Sequence, residues 1–169
     1  MHTRYRSSAA LLVALALIIV LKTRRLLGED RGTETQILAA VSAQLAGEER
    51  FQNLTIEVDG RVVKLRGTVR VLEDKRQALQ RAANGGDVSI VVSHIRVETE
   101  TIPDALLLKQ VNARLAADQE SQIKLKVKKR VVTMQGPVPH EADRERILSA
   151  VASVIGVVGM KDQLQVVAN

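Results

Sequence analysis

"IKLKVKKRVVTMQG", residues 123–136, alternates at its start between apolar side chains and lysine. Ile123, Leu125 and Val127 fall on one side of an extended strand, and Lys124, Lys126 and Lys128 fall on the other. After Lys128-Lys129 the pattern returns through Val132 and Met134 to Gly136, so the stretch reads as a hairpin. Its lysine face is the feature to be explained. One reading is a solvated face whose charges keep an edge strand from pairing with other chains. The other is a contact surface for an acidic partner.

A second stretch has the same form. "LTIEVDGRVVKLRG", residues 54–67, alternates through Ile56 and Val58, meets Asp59-Gly60, and returns through Val63 and Leu65. Asp-Gly between alternating segments is a strong hairpin signal. The elements around both hairpins repeat as well. "ILAAVSAQL", 37–45, sets Ile37, Leu38, Val41 and Leu45 on one helical face, and "LLKQVNARL", 107–115, does the same with Leu107, Leu108, Val111 and Leu115. Thr33 and Gln36 fit a capping box for the first of these helices, and Pro103-Asp104 marks the start of the second. After each hairpin comes another helix, "EDKRQALQRAA" at 73–83 and "ADRERILSAVA" at 142–152. A strand closes each copy, with Val88, Val91, Ile95 and Val97 over Val157, Met160, Leu164 and Val166. The fold expected is α+β: two αββαβ units, each a three-stranded mixed sheet with two helices on one face. A unit of about 65 residues is small for an independent core, so the two are expected to pack together. The acidic "ETETIPD", 98–104, links them.

Composition narrows the chemistry. Of 169 residues only Tyr5 and Phe51 are aromatic, so the cores are aliphatic. There is no cysteine, which excludes disulfides and thiolate metal sites. The formal charge of +6 is uneven: residues 26–103 hold 10 basic and 12 acidic residues, and residues 104–169 hold 10 and 7. The excess in the second copy gathers at Lys124, Lys126, Lys128, Lys129 and Arg130. Thr55 and Glu57 stand at the places of Lys124 and Lys126 in the first copy. His2, His94 and His140 are the only histidines, and none has a spaced partner that would form a triad. "NGGD", 84–87, is a turn, and Asp143 and Glu145 belong to a mixed-charge helix face. No phosphate-binding loop or dinucleotide fingerprint is present. No catalytic, cofactor or metal residues are expected. Nucleic acid is not an expected partner, because no aromatic platform exists for stacking bases.

The N-terminal stretch has a different character. "SSAALLVALALIIVL", 7–21, is uncharged and lies between Arg6 and Lys22. A helix of that length spans roughly 22 Å, and snorkelling by flanking cations extends it toward the hydrocarbon thickness. "KTRR" follows where a cleaved signal would carry small residues, so an uncleaved single-pass anchor over residues 1–28 is expected. Tyr5, Arg6, Lys22, Arg24 and Arg25 would then lie at the membrane interface. Four basic residues after the segment against two before it lean toward a cytoplasmic C-terminal part, at a bacterial inner membrane.

The repeat resembles the BON domain, a bacterial envelope module often found in tandem, over residues 33–98 and 102–167. The resemblance is carried by "VVKLRGTV" and "VVTMQGPV", and by "GVVGMKDQLQVV" at 156–167. The first copy departs from the closing motif, with Asp87 where a glycine would stand, and the second lacks the turn glycine at Lys128-Lys129. The resemblance implies an α+β sandwich that binds rather than catalyses, and phospholipid binding and envelope maintenance are associated with it. The expected role is a non-catalytic scaffold or accessory subunit of a larger membrane assembly. A membrane-tethered phospholipid-binding protein is the alternative.

Overall fold

A computed structural model describes residues 33–116 and 123–167. The expected anchor, with Tyr5, Arg6, Lys22, Arg24 and Arg25, lies outside the described residues. Among those that are described, no helix is long and apolar enough to cross a membrane.

Both units follow one chain order. Helix α1, described over 33–45, leads into strands β1 (Leu54–Asp59) and β2 (Val62–Val69), helix α2 (Leu72–Ala83) and strand β3 (Ile90–Val97). The second unit repeats this as α3 (Asp104–Ala116), β4 (Lys124–Lys128), β5 (Val131–Val138), α4 (Glu141–Ala152) and β6 (Gly159–Val166). In each sheet the hairpin return strand is central, antiparallel to the strand before it and parallel to the last. The parallel pairing is possible because a helix crosses between β2 and β3, and again between β5 and β6.

Alternation decides what enters each core. Val63 and Leu65 of β2 are fully buried, as are Val132 and Met134 of β5, one turn of the repeat later. The helices cover that face with Ile37, Val41 and Leu45 in the first unit and Leu107, Val111 and Leu115 in the second. Leu38 departs from the helical-face reading and is 40% exposed. It lies about 100° around the helix from Ile37, at the margin of the stripe that Ile37, Val41 and Leu45 bury. Phe51 is buried at the end of the α1–β1 connection, with the guanidinium carbons of Arg50 and Arg81 4.8 and 5.3 Å from its ring centroid. Both arginines also bind Glu48. Burial raises the Glu48 carboxyl, but the hydrogen bonds from Arg50 and Arg81 outweigh it and hold that group below the usual carboxylate range.

The shared glycine of the return strands has a steric cause in the first copy. Gly67 has φ +127°, and a Cβ there would stand 2.0 Å from the carbonyl oxygen of Asn53. The closing loop differs between copies. Gly156 has φ +100°, whereas the first copy places its left-handed residue at Gly86, φ +98°, one position before Asp87. Asp87 is therefore accommodated because the turn has moved, and its carboxylate instead binds Arg61.

The cores are separate but joined by a seam. Leu72, at the start of α2 in the first unit, is buried in the second unit's core, and Val97 packs against both. Arg76 of α2 reaches Glu145 of α4 at 2.7 Å. Thr99 Oγ1 of the linker accepts the Gly156 N–H at 2.9 Å.

Candidate functional site

With the helices on one face of each sheet, the opposite face is left to solvent. On the second unit it is built by the pleat of β4. Leu125 and Val127 turn inward against the core, and Lys124, Lys126 and Lys128 stand outward and exposed. Register adds a fourth lysine. Lys126 is paired with Thr133, and Thr133 with Lys161 of β6, so Lys161 lies two strands away on the same face. Gln135 and Gln163 continue the row of Lys124. These side chains border an open groove of about 710 Å³.

The spacing explains the electrostatics. Alternate residues of a strand are about 6.6–6.8 Å apart and neighbouring strands about 4.8 Å apart. Neighbouring lysines therefore lie within about one Debye length of one another at 0.1 M salt. Before screening by salt, each pair adjacent along β4 repels by about 0.6 kcal/mol at the dielectric of water. No described carboxylate forms an ion pair with Lys124, Lys126, Lys128, Lys129 or Lys161. Asp162, next in sequence to Lys161, points the other way and binds Arg144 of α4 at 2.8 Å. That contact, with the further bond to Glu141, raises the already high pKa of Arg144.

The turn beside this face corrects two sequence expectations. Lys128 remains in the ladder opposite Val131, so the two-residue loop is Lys129-Arg130 rather than Lys128-Lys129. Likewise Asp59 pairs with Val62, and the first loop is Gly60-Arg61. Lys129 and Arg130 both have positive φ, 52° and 60°, the pattern of a type I′ turn. A side chain there costs about 1–2 kcal/mol per residue. Asp104 offsets it: its carboxylate accepts the N–H of Lys129 at 2.8 Å and of Arg130 at 2.9 Å. Hydrogen bonds to a charged group contribute about 1.5–3 kcal/mol each, enough to hold the turn. Glu34 makes the equivalent bond to the Gly60 N–H at 2.7 Å, where glycine leaves little strain to offset.

Of the five residues singled out by sequence, four present their charge to this side. Arg130 does not. It is half-buried, and its guanidinium donates to the Glu100 carbonyl at 3.3 Å, on the linker. It therefore secures the linker instead of extending the lysine array. Lys161 is not legible as part of the array from sequence, because only the parallel register of β5 and β6 brings it to the face. Its one sequence signal is alternation in "GMKDQL", 159–164. Elsewhere, His94 is exposed across from Arg66 and His140 is exposed ahead of α4. Asp143 pairs with Arg146 within its helix, and Glu145 belongs to the seam.

A family model for the BON domain matches residues 33–99 and 103–168. It indicates no enzymatic family. No curated protein sequence matches the chain. Two solved structures of CdsD, a structural protein of the type III secretion system of Chlamydia trachomatis, share 12% identity with it. The first aligns with TM-score 0.37 over 83% of this chain and 64% of the other. The second, the C-terminal domain, aligns with TM-score 0.36 over 82% and 67%. This chain thus spans less than two thirds of the first CdsD chain, and likeness at that level says nothing of role.

Proposed function

The chain belongs to the BON-domain family, and from that premise we propose that it is a non-catalytic scaffold or accessory subunit of a bacterial membrane assembly. It docks through the outer sheet face of its second unit. One observation carries the reading: Lys124, Lys126, Lys128 and Lys161 share a face on which no described carboxylate pairs with them. Repulsion within the array is relieved when an acidic surface approaches. The array therefore favours acidic partners and speeds encounter with them. In this reading residues 7–21 hold the protein at the inner membrane, with Tyr5, Arg6, Lys22, Arg24 and Arg25 at its interface and the folded units in the cytoplasm. Protease added to spheroplasts should then leave residues 33–169 intact.

Direct contact with anionic phospholipid headgroups is the second reading. It is favoured by the lysines that line the open groove, which suit phosphate headgroups. The two readings separate in one experiment. The full chain, purified in mild detergent, is compared with the triple variant Lys124→Glu, Lys126→Glu, Lys161→Glu for co-purifying proteins and for binding to vesicles containing phosphatidylglycerol. Loss of co-purifying protein at an unchanged melting temperature, reproduced by raised salt, supports the scaffold. Loss of vesicle binding alone supports the lipid reading. A triple variant that matches the parent in both overturns the docking face.

A further inference from the structure

The outermost strands of the two sheets carry opposite charge. Strand β1 has one paired neighbour, β2, and β4 has one, β5, so each leaves a backbone edge unpaired within its sheet. The outward residues of β1 are Thr55, Glu57 and Asp59, and those of β4 are Lys124, Lys126 and Lys128. Glu57 and Asp59 are 50% and 75% exposed at the side chain, although they touch Arg66 and Lys64 on β2. We propose that β1 of one chain pairs antiparallel with β4 of a second copy, joining their sheets into one six-stranded sheet. The proposal rests on the docking role of the lysine array and names a partner for its edge strand.

Topology permits this geometry. The two units have the same strand order and directions, so β1 and β4 are equivalent edges. Turning one unit by a half-rotation about the sheet normal sets the two edges antiparallel, with both helical layers on the same side. In the fully overlapping register Glu57 faces Lys126 and Asp59 faces Lys124. On the inner face Ile56 then meets Val127 and Val58 meets Leu125. Alternation is kept on both faces, as a buried sheet requires. The other pairings are disfavoured: β4 on β4 places lysine across from lysine, and β1 on β1 places carboxylate across from carboxylate. The charges that discourage like edges thus select the unlike pair. Because the two surfaces differ, the contact is heterologous and closes into a ring or extends as a series.

The test is a charge exchange on the full chain in mild detergent, followed by sedimentation velocity at low and high salt. Glu57→Lys with Asp59→Lys, or Lys124→Glu with Lys126→Glu, should each weaken self-association about tenfold, equivalent to about 1.4 kcal/mol. Combining the four in one chain should restore it. The absence of cysteine permits a direct check that does not depend on affinity. A Glu57→Cys chain mixed with a Lys126→Cys chain should form a mixed disulfide under mild oxidation, since residues directly opposed across a pair are close enough to bridge. A parent chain that stays a monomer at every concentration, or a fourfold exchange that fails to restore association, overturns the proposal. So does a mixed disulfide no more abundant than that of a Glu57→Cys, Lys109→Cys control. If the lysine variants lose protein or vesicle partners while self-association persists unchanged, this inference falls and the docking reading stands.

Discussion

The first unit neutralises its outer sheet face internally, and the second does not. On the first, Glu57 meets Arg66 at 3.2 Å and Asp59 meets Lys64 at 3.1 Å. On the second, the same ladder positions hold Lys126, Lys128, Gln135 and Thr133. The cores beneath are built alike, so the difference is confined to residues that do not specify the fold. What distinguishes the copies is therefore a surface property laid over a common frame.

The comparison breaks first, if it breaks, in the cores. Leu65 and Met134 are fully buried at equivalent places, and changing either to Ala should cost about 2–5 kcal/mol. With separate cores, native-state hydrogen exchange should accelerate mainly in the unit that carries the change. Equal loosening of both sheets would make the chain one cooperative body. A smaller effect is expected at the turns. Lys129→Gly should stabilise the second unit by about 1 kcal/mol, because it removes the left-handed strain while keeping the N–H that Asp104 accepts. No comparable gain is available at Gly60. Urea melts of Lys129→Gly and the parent would show whether the second turn is held under strain. The smallest effect concerns sign. Lys126→Gln should raise stability by about 0–0.5 kcal/mol by relieving repulsion. Lys64→Gln should lower it by about the same amount by freeing Asp59. Matching signs in thermal melts would show that the two faces do not differ as described.

Much of this architecture was legible in the sequence. Strict alternation in 54–58 and 123–127 led to residues that pack half-buried against the cores, and the helical spacing of Val41 and Val111 led to fully buried ones. The repeat also gave the order of elements. What was not legible depended on partners distant in sequence. Arg130 reads as one more cation until the Glu100 carbonyl is seen to hold it. Lys161 reads as an isolated lysine until the β5–β6 register brings it opposite Thr133. Asp104 reads as a helix start, which it is, but its carboxylate serves a turn 25 residues away. The hairpin loops were displaced by one residue because Asp59 and Lys128 still have ladder partners.

Leu72 sets a schedule. It belongs to the first unit by sequence and to the second by burial. During synthesis the first sheet is complete once Val97 has emerged, whereas β6 ends at Val166. At translation rates of about 5–20 residues per second the interval is about 3–14 s. Through that time a nascent chain with its first half folded displays a leucine that has no core to enter. The seam is thus an apolar handle that only the last strands to leave the ribosome withdraw, and chaperones that bind exposed leucine have that window in which to find it.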